Sequence, residues 1–399
     1  MTATPEPSPQ PTRASDLIQP ITAGILAALV GYASTFTLAL AGFAHVGATP
    51  EQSASGLLSV CIALGLLNTI IVWRMRIPLS FAWSTPGAAF LLTLPPIEGG
   101  YPAAVGALLL TGLMILAAGL IRPLTRAIAA IPAPIAAAML AGVLFNLCLA
   151  PIHAVAELPA LALPILAIWV LGLRFARRYA VPLAVIAAAI VLSLTANLPP
   201  GAVTLSLPSL VFVMPVFTLD AVIKVALPLF VITMASQNLT GLAVMRANGY
   251  EIDSGPPFVL TGLASAVIAF FGGLTTNLAA ITAAIAAGPE SHPDPARRWP
   301  APVAAGFTYL ALGLLATISA AFIAASPPTL IQAVAGLALL PSLALALATS
   351  LSDEDSRLAA IVTLVTTASG ITVLGVGGAF WGLVAGIVLQ LLLKRRGPA

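Results

Sequence analysis

Apolar runs of about twenty residues recur along this chain from residue 17 to near its end, each long enough to cross a hydrocarbon core of roughly 30 Å as a helix. The pattern predicts about fourteen spans, some short or broken. The first seven cover residues 17–45, 52–73, 78–94, 101–121, 134–150, 157–174 and 180–198. The second seven cover 219–245, 257–271, 274–288, 299–324, 328–349, 357–374 and 376–393. Spans three and ten are interrupted at corresponding places by polar and helix-breaking residues, in the segments 78–90 and 271–282. Within a bilayer every backbone N–H and C=O needs a partner, so a broken span is tolerated only where it is buried in protein or lines a cavity. Matched breaks in two halves point to the binding site of an inverted-repeat carrier. The expected fold is therefore an all-α polytopic membrane protein, a seven-plus-seven inverted repeat with short extended segments in spans three and ten.

Local chemistry sharpens each break. Pro86 suits the first turn of a helix, with Ser84 or Thr85 as its cap, so a half-helix is expected from about residue 85. Leu79 to Trp83 would run extended before it, and Thr275 and Thr276 leading into Asn277 repeat the pattern. Two helix N-termini would then face each other and attract an anion, above all a carboxylate. Gly87 and Gly273 would permit close backbone approach. The alternative is a pair of kinks satisfied by neighbouring helices. Span eight adds Ser236, Gln237, Asn238 and Thr240 in mid-membrane. An unpaired amide there costs about 2 kcal/mol or more, so these groups face protein, water or substrate. Interhelical hydrogen bonding would serve equally well.

Composition supports the membrane reading, with 60% hydrophobic and 7% charged residues in 399 and a mean hydropathy of +1.07. The basic residues test the span count, because Lys and Arg of short loops collect on the cytoplasmic side. Arg13, Arg74, Arg76, Arg122, Arg126, Arg174, Arg177, Arg178, Arg246, Arg297, Arg298, Arg357, Lys394, Arg395 and Arg396 all fall on one side, which places both termini in the cytoplasm. The net charge of +3 thus reflects topology and does not argue for nucleic-acid binding. Residues 1–16, with four prolines, read as a disordered cytoplasmic tail, and the uncharged Pro-rich stretch 199–217 as the linker between repeats 17–198 and 218–394. Cys61 and Cys148 lie in apolar spans, so neither a disulfide nor a metal site is expected. A membrane enzyme would need clustered His, Cys, Asp or Glu within the spans, and the sequence has none; no cofactor is implied. Asp220 and Lys224 are the only charges within a span, and their i, i+4 spacing suits an ion pair near the membrane surface or a role in proton coupling.

Several segments together resemble the benzoate/proton symporter family, BenE, over nearly the whole chain: 82–88 (AWSTPGA), 238–250 (NLTGLAVMRANGY), 277–283 (NLAAITA), 288–298 (GPESHPDPARR) and 380–386 (FWGLVAG). The resemblance implies proton-driven uptake of benzoate or a related aromatic carboxylate across a bacterial inner membrane. More distantly the layout resembles the uracil-permease fold, which implies a core of spans one to four and eight to eleven moving against a gate of spans five to seven and twelve to fourteen. Nucleobase carriers of that fold place carboxylates in span eight and at the span-ten break, where this chain has Gln237 and Thr276. A fixed carboxylate would repel a benzoate anion, whereas amide and hydroxyl donors would hydrogen-bond it. The expected carboxylate contacts are Ser84, Thr85, Gln237, Asn238, Thr276 and Asn277. Tyr32 and Trp83 are the expected ring contacts, with Phe36 and Phe271 as further apolar walls. The proton would pass through Asp220 and Lys224 or travel on the substrate itself. A nucleobase or inorganic-anion carrier, a uniporter and a channel remain alternatives, and the sequence leaves a homodimer open.

Overall fold

Apolar runs become helices here, but of two lengths. The computed structural model describes residues 14–123, 131–195, 207–279, 281–289, 291–373 and 376–393. Among them six helices are long and apolar enough to cross a membrane: Leu17–His45, Pro50–Met75, Gly100–Leu120, Ala133–Glu157, Leu219–Arg246 and Pro328–Ser350. A seventh arises if Pro295–Gly313 and Ala316–Ala324, bent by 57°, count as one span. Most of the other expected spans are apolar helices of 10–17 residues: Pro159–Phe175, Ala180–Val191, Gly255–Ala269, Arg357–Ala368 and Gly378–Leu393. The protein is thus mostly helical, with fewer full-length spans than the fourteen expected.

The two broken segments meet. Strand β1 (Phe81–Trp83) pairs antiparallel with strand β2 (Thr276–Leu278), placing Phe81 opposite Leu278, Ala82 opposite Asn277 and Trp83 opposite Thr276. An isolated two-stranded ribbon has two unpaired edges, which in an apolar interior must be satisfied by side chains. Asn68 does this for β1: its Nδ2 donates to Phe81 O at 2.9 Å and its Oδ1 accepts from Phe81 N at 3.0 Å. Asn238 does it for β2, its Oδ1 accepting from Leu278 N at 2.9 Å. Ser265 Oγ accepts from Thr276 N at 2.9 Å. Both asparagines sit in π turns, Leu67–Ile71 and Met234–Asn238, and a third π turn covers Val222–Ala226. Such one-turn widenings of an α-helix are frequent at functional positions.

After β1 the half-helix Thr85–Leu91 starts where expected, capped by Ser84, whose Oγ accepts from Gly87 N at 3.1 Å. The second half-helix, Ile281–Ala287, starts later than the expected Thr275–Asn277 boundary, because Thr276 to Leu278 are drawn into the ribbon. A further difference concerns spans thirteen and fourteen. Arg357–Ala368 ends at Gly370 (φ +65°), and a small antiparallel pair, β3 (Thr372–Val373) with β4 (Val376–Gly377), precedes Gly378–Leu393. Of the expected linker, 199–206 lies outside the described residues. Its second part is an ordered strap: Val213 N donates to Phe270 O at 2.8 Å, Val216 N to Pro102 O at 3.0 Å, and Phe212 stacks on Phe270 at 5.7 Å. The expected tail lies outside the described residues up to residue 13, and helix begins at Ala14. Arg13, Arg126, Lys394, Arg395 and Arg396 are likewise outside them.

Candidate substrate site at the strand crossing

The crossing is built from neutral polar groups. Ser84, Asn238, Thr276 and Asn277 are all fully buried. Each is engaged by the scaffold itself. The Ser84 hydroxyl lies 3.0 Å from Thr233 Oγ1, which lies 3.4 Å from Thr275 Oγ1. Thr276 Oγ1 donates to Thr261 O at 3.0 Å. The Asn277 amide accepts from Ser84 N at 2.9 Å and donates to Leu278 O at 2.8 Å. Asn238 donates to Met234 Sδ besides holding Leu278. These four therefore shape the crossing, with their polar atoms largely spent on it.

Thr85 and Gln237 differ. Both are only half-buried. Thr85 shares a 3.1 Å hydrogen bond with Thr35, and the Gln237 side chain makes none to the described residues. The π turn that carries Gln237 packs on β2 on one side and on Ala133–Glu157 on the other, and the half-helix Thr85–Leu91 packs on the same long helix. Gln237 thus lies where the crossing meets a neighbouring helix bundle, with free amide donors and acceptor.

An aromatic cluster adjoins the crossing. Tyr32 stacks on Phe36 at 5.2 Å and meets Trp83 at 5.7 Å, and Trp83 meets Tyr309 edge-on at 5.9 Å. The Tyr32 hydroxyl is 3.1 Å from Ser319 Oγ. Phe271, an expected wall, is elsewhere, packed edge-on against Phe212 at 6.3 Å. Gly87 and Gly273 admit protein rather than open space. A Cβ on Gly87 would fall 2.7 Å from Leu229 Cδ1, and one on Gly273 would fall 2.6 Å from Ser59 Oγ.

Two cavities flank the break in span three. One, with room for about a single water, lies at its strand end, lined by Asn68, Ser80, Phe81, Thr282 and Tyr309 among others. The other, a narrow cleft, lies beyond the half-helix, between Phe90, Thr93 to Pro95, Lys224, Asn146 and the start of the helix Gly378–Leu393. Asp220 and Lys224 form the expected ion pair at 2.5 Å. Asp220 also accepts from Glu98 N at 3.0 Å, so the pair ties the start of its helix to the loop before Gly100–Leu120. Among the described residues no group of three His, Cys, Asp or Glu side chains is placed to hold a metal ion. Sequence reading named Thr275 only as part of the second break and missed Thr233, Tyr309, Ser319 and Asn68. Only Asn68, a lone amide in the apolar run 54–73, left a signal to follow.

Residues 16–392 match the family described as benzoate membrane transport protein, BenE. The chain belongs to that family. Among curated BenE-like relatives, the inner membrane protein YdcO of Escherichia coli K12 is 37% identical, covering 94% of this chain and 96% of that protein. The benzoate membrane transport protein of Acinetobacter baylyi is 29% identical, covering 94% of each. Among solved structures, the transmembrane domain of the cyanobacterial bicarbonate transporter BicA superposes with a TM-score of 0.59 at 17% identity, covering 96% of this chain and 98% of that one. Murine Slc26a9, an anion transporter in the inward-facing state, gives 0.60 at 14% identity, covering 96% and 69%. This BenE family member is therefore a membrane transporter with the fold of those carriers, and not an enzyme.

Proposed function

We propose that the protein is a secondary carrier that takes up benzoate or a related aromatic carboxylate with a proton across a bacterial inner membrane. The observation that carries this is Gln237, a half-buried amide without a hydrogen-bond partner among the described residues, at the edge of a crossing built of hydroxyls and amides. Neutral donors suit a carboxylate, and the Tyr32, Phe36, Trp83 and Tyr309 cluster supplies apolar surface for a ring. Gln237 and Thr85 contact the carboxylate in this reading. Ser84, Asn238, Thr276 and Asn277 position the crossing, and Tyr32 and Trp83 flank the ring. The named activity of the Acinetobacter relative supports the substrate class.

The ribbon that joins one strand from each half supports a seven-plus-seven inverted repeat. Spans one to four and eight to eleven form its core, the remaining spans its gate, and both termini are cytoplasmic. No carboxylate or imidazole hydrogen-bonds to the crossing residues described above, and Asp220 and Lys224 are committed to each other. The proton accordingly travels with the substrate carboxylate.

The test is uptake of radiolabelled benzoate into proteoliposomes with and without an inward proton gradient, measured against protein-free liposomes because neutral benzoic acid crosses lipid unaided. Saturable, gradient-driven accumulation that depends on protein is expected; equilibration without accumulation would make the protein a uniporter. Gln237→Leu removes the amide donors and acceptor whether the carboxyl binds as anion or as acid, and should raise the KM for benzoate about tenfold, for one lost hydrogen bond to the substrate. An unchanged KM removes Gln237 from the site. The bicarbonate carrier among the fold neighbours favours one second reading, an inorganic anion as substrate, and competition by bicarbonate against benzoate separates the two.

A further inference from the structure

Far from the crossing, Arg74 and Arg76 end the helix Pro50–Met75 on the face that carries the arginine clusters. Arg76 is the one non-glycine residue with positive φ among those described, at +56°, a conformation disfavoured for any residue with a side chain. The turn sets its guanidinium 4.1 Å over the centroid of the Trp299 ring and 5.3 Å from that of Trp73. The two indoles meet edge to face at 5.6 Å. A guanidinium stacked on indoles keeps its in-plane N–H edge for other partners, and that fork matches phosphate oxygens. Neither arginine has an ion pair or side-chain hydrogen bond among the described residues, and both are exposed.

Beside them runs an open, shallow groove between Pro50–Met75 and Pro300–Gly313, lined by Thr69, Ile70, Trp73, Arg74, Val303 and Phe307. Ile70 and Trp73 are each 57% exposed and Phe307 63%. Among the described residues no carboxylate lines it. Tryptophan and arginine together mark the headgroup level of a bilayer, and uncompensated arginines there favour anionic lipid.

We propose that this groove is a specific site for an anionic phospholipid, with the phosphate on Arg74 and the edge of Arg76 and an acyl chain along Ile70, Val303 and Phe307. The net double positive charge selects the headgroup: a zwitterionic lipid brings its own cation toward the arginines, and phosphatidylglycerol does not. Topological arginines alone would attract anionic lipid diffusely, with no one pair carrying the preference.

The test is native mass spectrometry of the detergent-purified protein titrated with phosphatidylglycerol or phosphatidylcholine. A roughly tenfold preference for retaining phosphatidylglycerol is expected from two interfacial arginines. It should vanish in the Arg74→Gln/Arg76→Gln double variant and persist in Arg174→Gln/Arg177→Gln. Equal retention of the two lipids, or an undiminished preference in the first double variant, overturns the site. Should that variant fail to fold, the native protein still decides. Phosphatidylglycerol with brominated acyl chains should quench tryptophan emission more than brominated phosphatidylcholine, and Trp73→Phe should remove the excess. Equal quenching by both lipids overturns the site as well.

Discussion

At the residue scale, the asparagines of this protein act as pieces of backbone. Asn68 stands in for a third strand beside Phe81, offering both a donor and an acceptor, while Asn238 offers Leu278 an acceptor only. Replacing Asn68 by Leu strands two buried backbone groups and replacing Asn238 by Leu strands one. Each orphan costs about 1–3 kcal/mol, so both variants should melt lower than the native protein, with Asn68→Leu the worse. Differential scanning fluorimetry in detergent measures the order; equal midpoints would mean that the ribbon finds other partners. Gln237→Ala makes the opposite case. Its side chain has no hydrogen-bond partner to lose among the described residues, so stability should hold within about 0.5 kcal/mol while any effect falls on transport.

At the scale of elements, small residues set how closely helices approach. A Cβ on Gly386 would overlap Thr363 Oγ1, so the Thr363 side chain of Arg357–Ala368 seats directly on the backbone of Gly378–Leu393. Gly386→Ala should destabilise by about 1–3 kcal/mol through overpacking, and Thr363→Ala added to it should recover much of the loss. Thermal midpoints of the single and double variants give the answer, and a simple sum of two losses would argue against direct contact. Elements also show where sequence reading succeeds. The start of the first half-helix was legible because Ser84 and Pro86 carry its signals locally. The second half-helix was placed too early, since whether Thr276 to Leu278 run as helix or strand depends on β1, almost two hundred residues away. The pair β3–β4 is local, and its signal was present but unread: Gly370, Gly375, Gly377 and Gly378 bracket the β-branched Ile371, Thr372, Val373 and Val376 inside an apolar run otherwise read as helix. At the crossing, the polar residues were legible as unusual but not as to their work. Whether a buried hydroxyl faces a ligand or a carbonyl is decided by neighbours such as Thr261 and Thr233, which no local pattern reveals.

At the scale of the whole molecule, the decisive feature is that the ribbon takes one strand from each half of the chain. Neither half can satisfy its own broken span: alone, each would carry a strand with an open edge inside the bilayer. The halves are therefore obligate complements. Cutting the gene within 199–206 and expressing the two pieces separately should yield fragments that the cell degrades. Co-expression should return both to the membrane as a stable, co-purifying pair with uptake activity. Recovery of either fragment alone in folded form would contradict this. On the proposed inverted repeat, the same dependence constrains how such a chain could have arisen: a single ancestral repeat would have been stable only by pairing with another copy of itself, strand to strand.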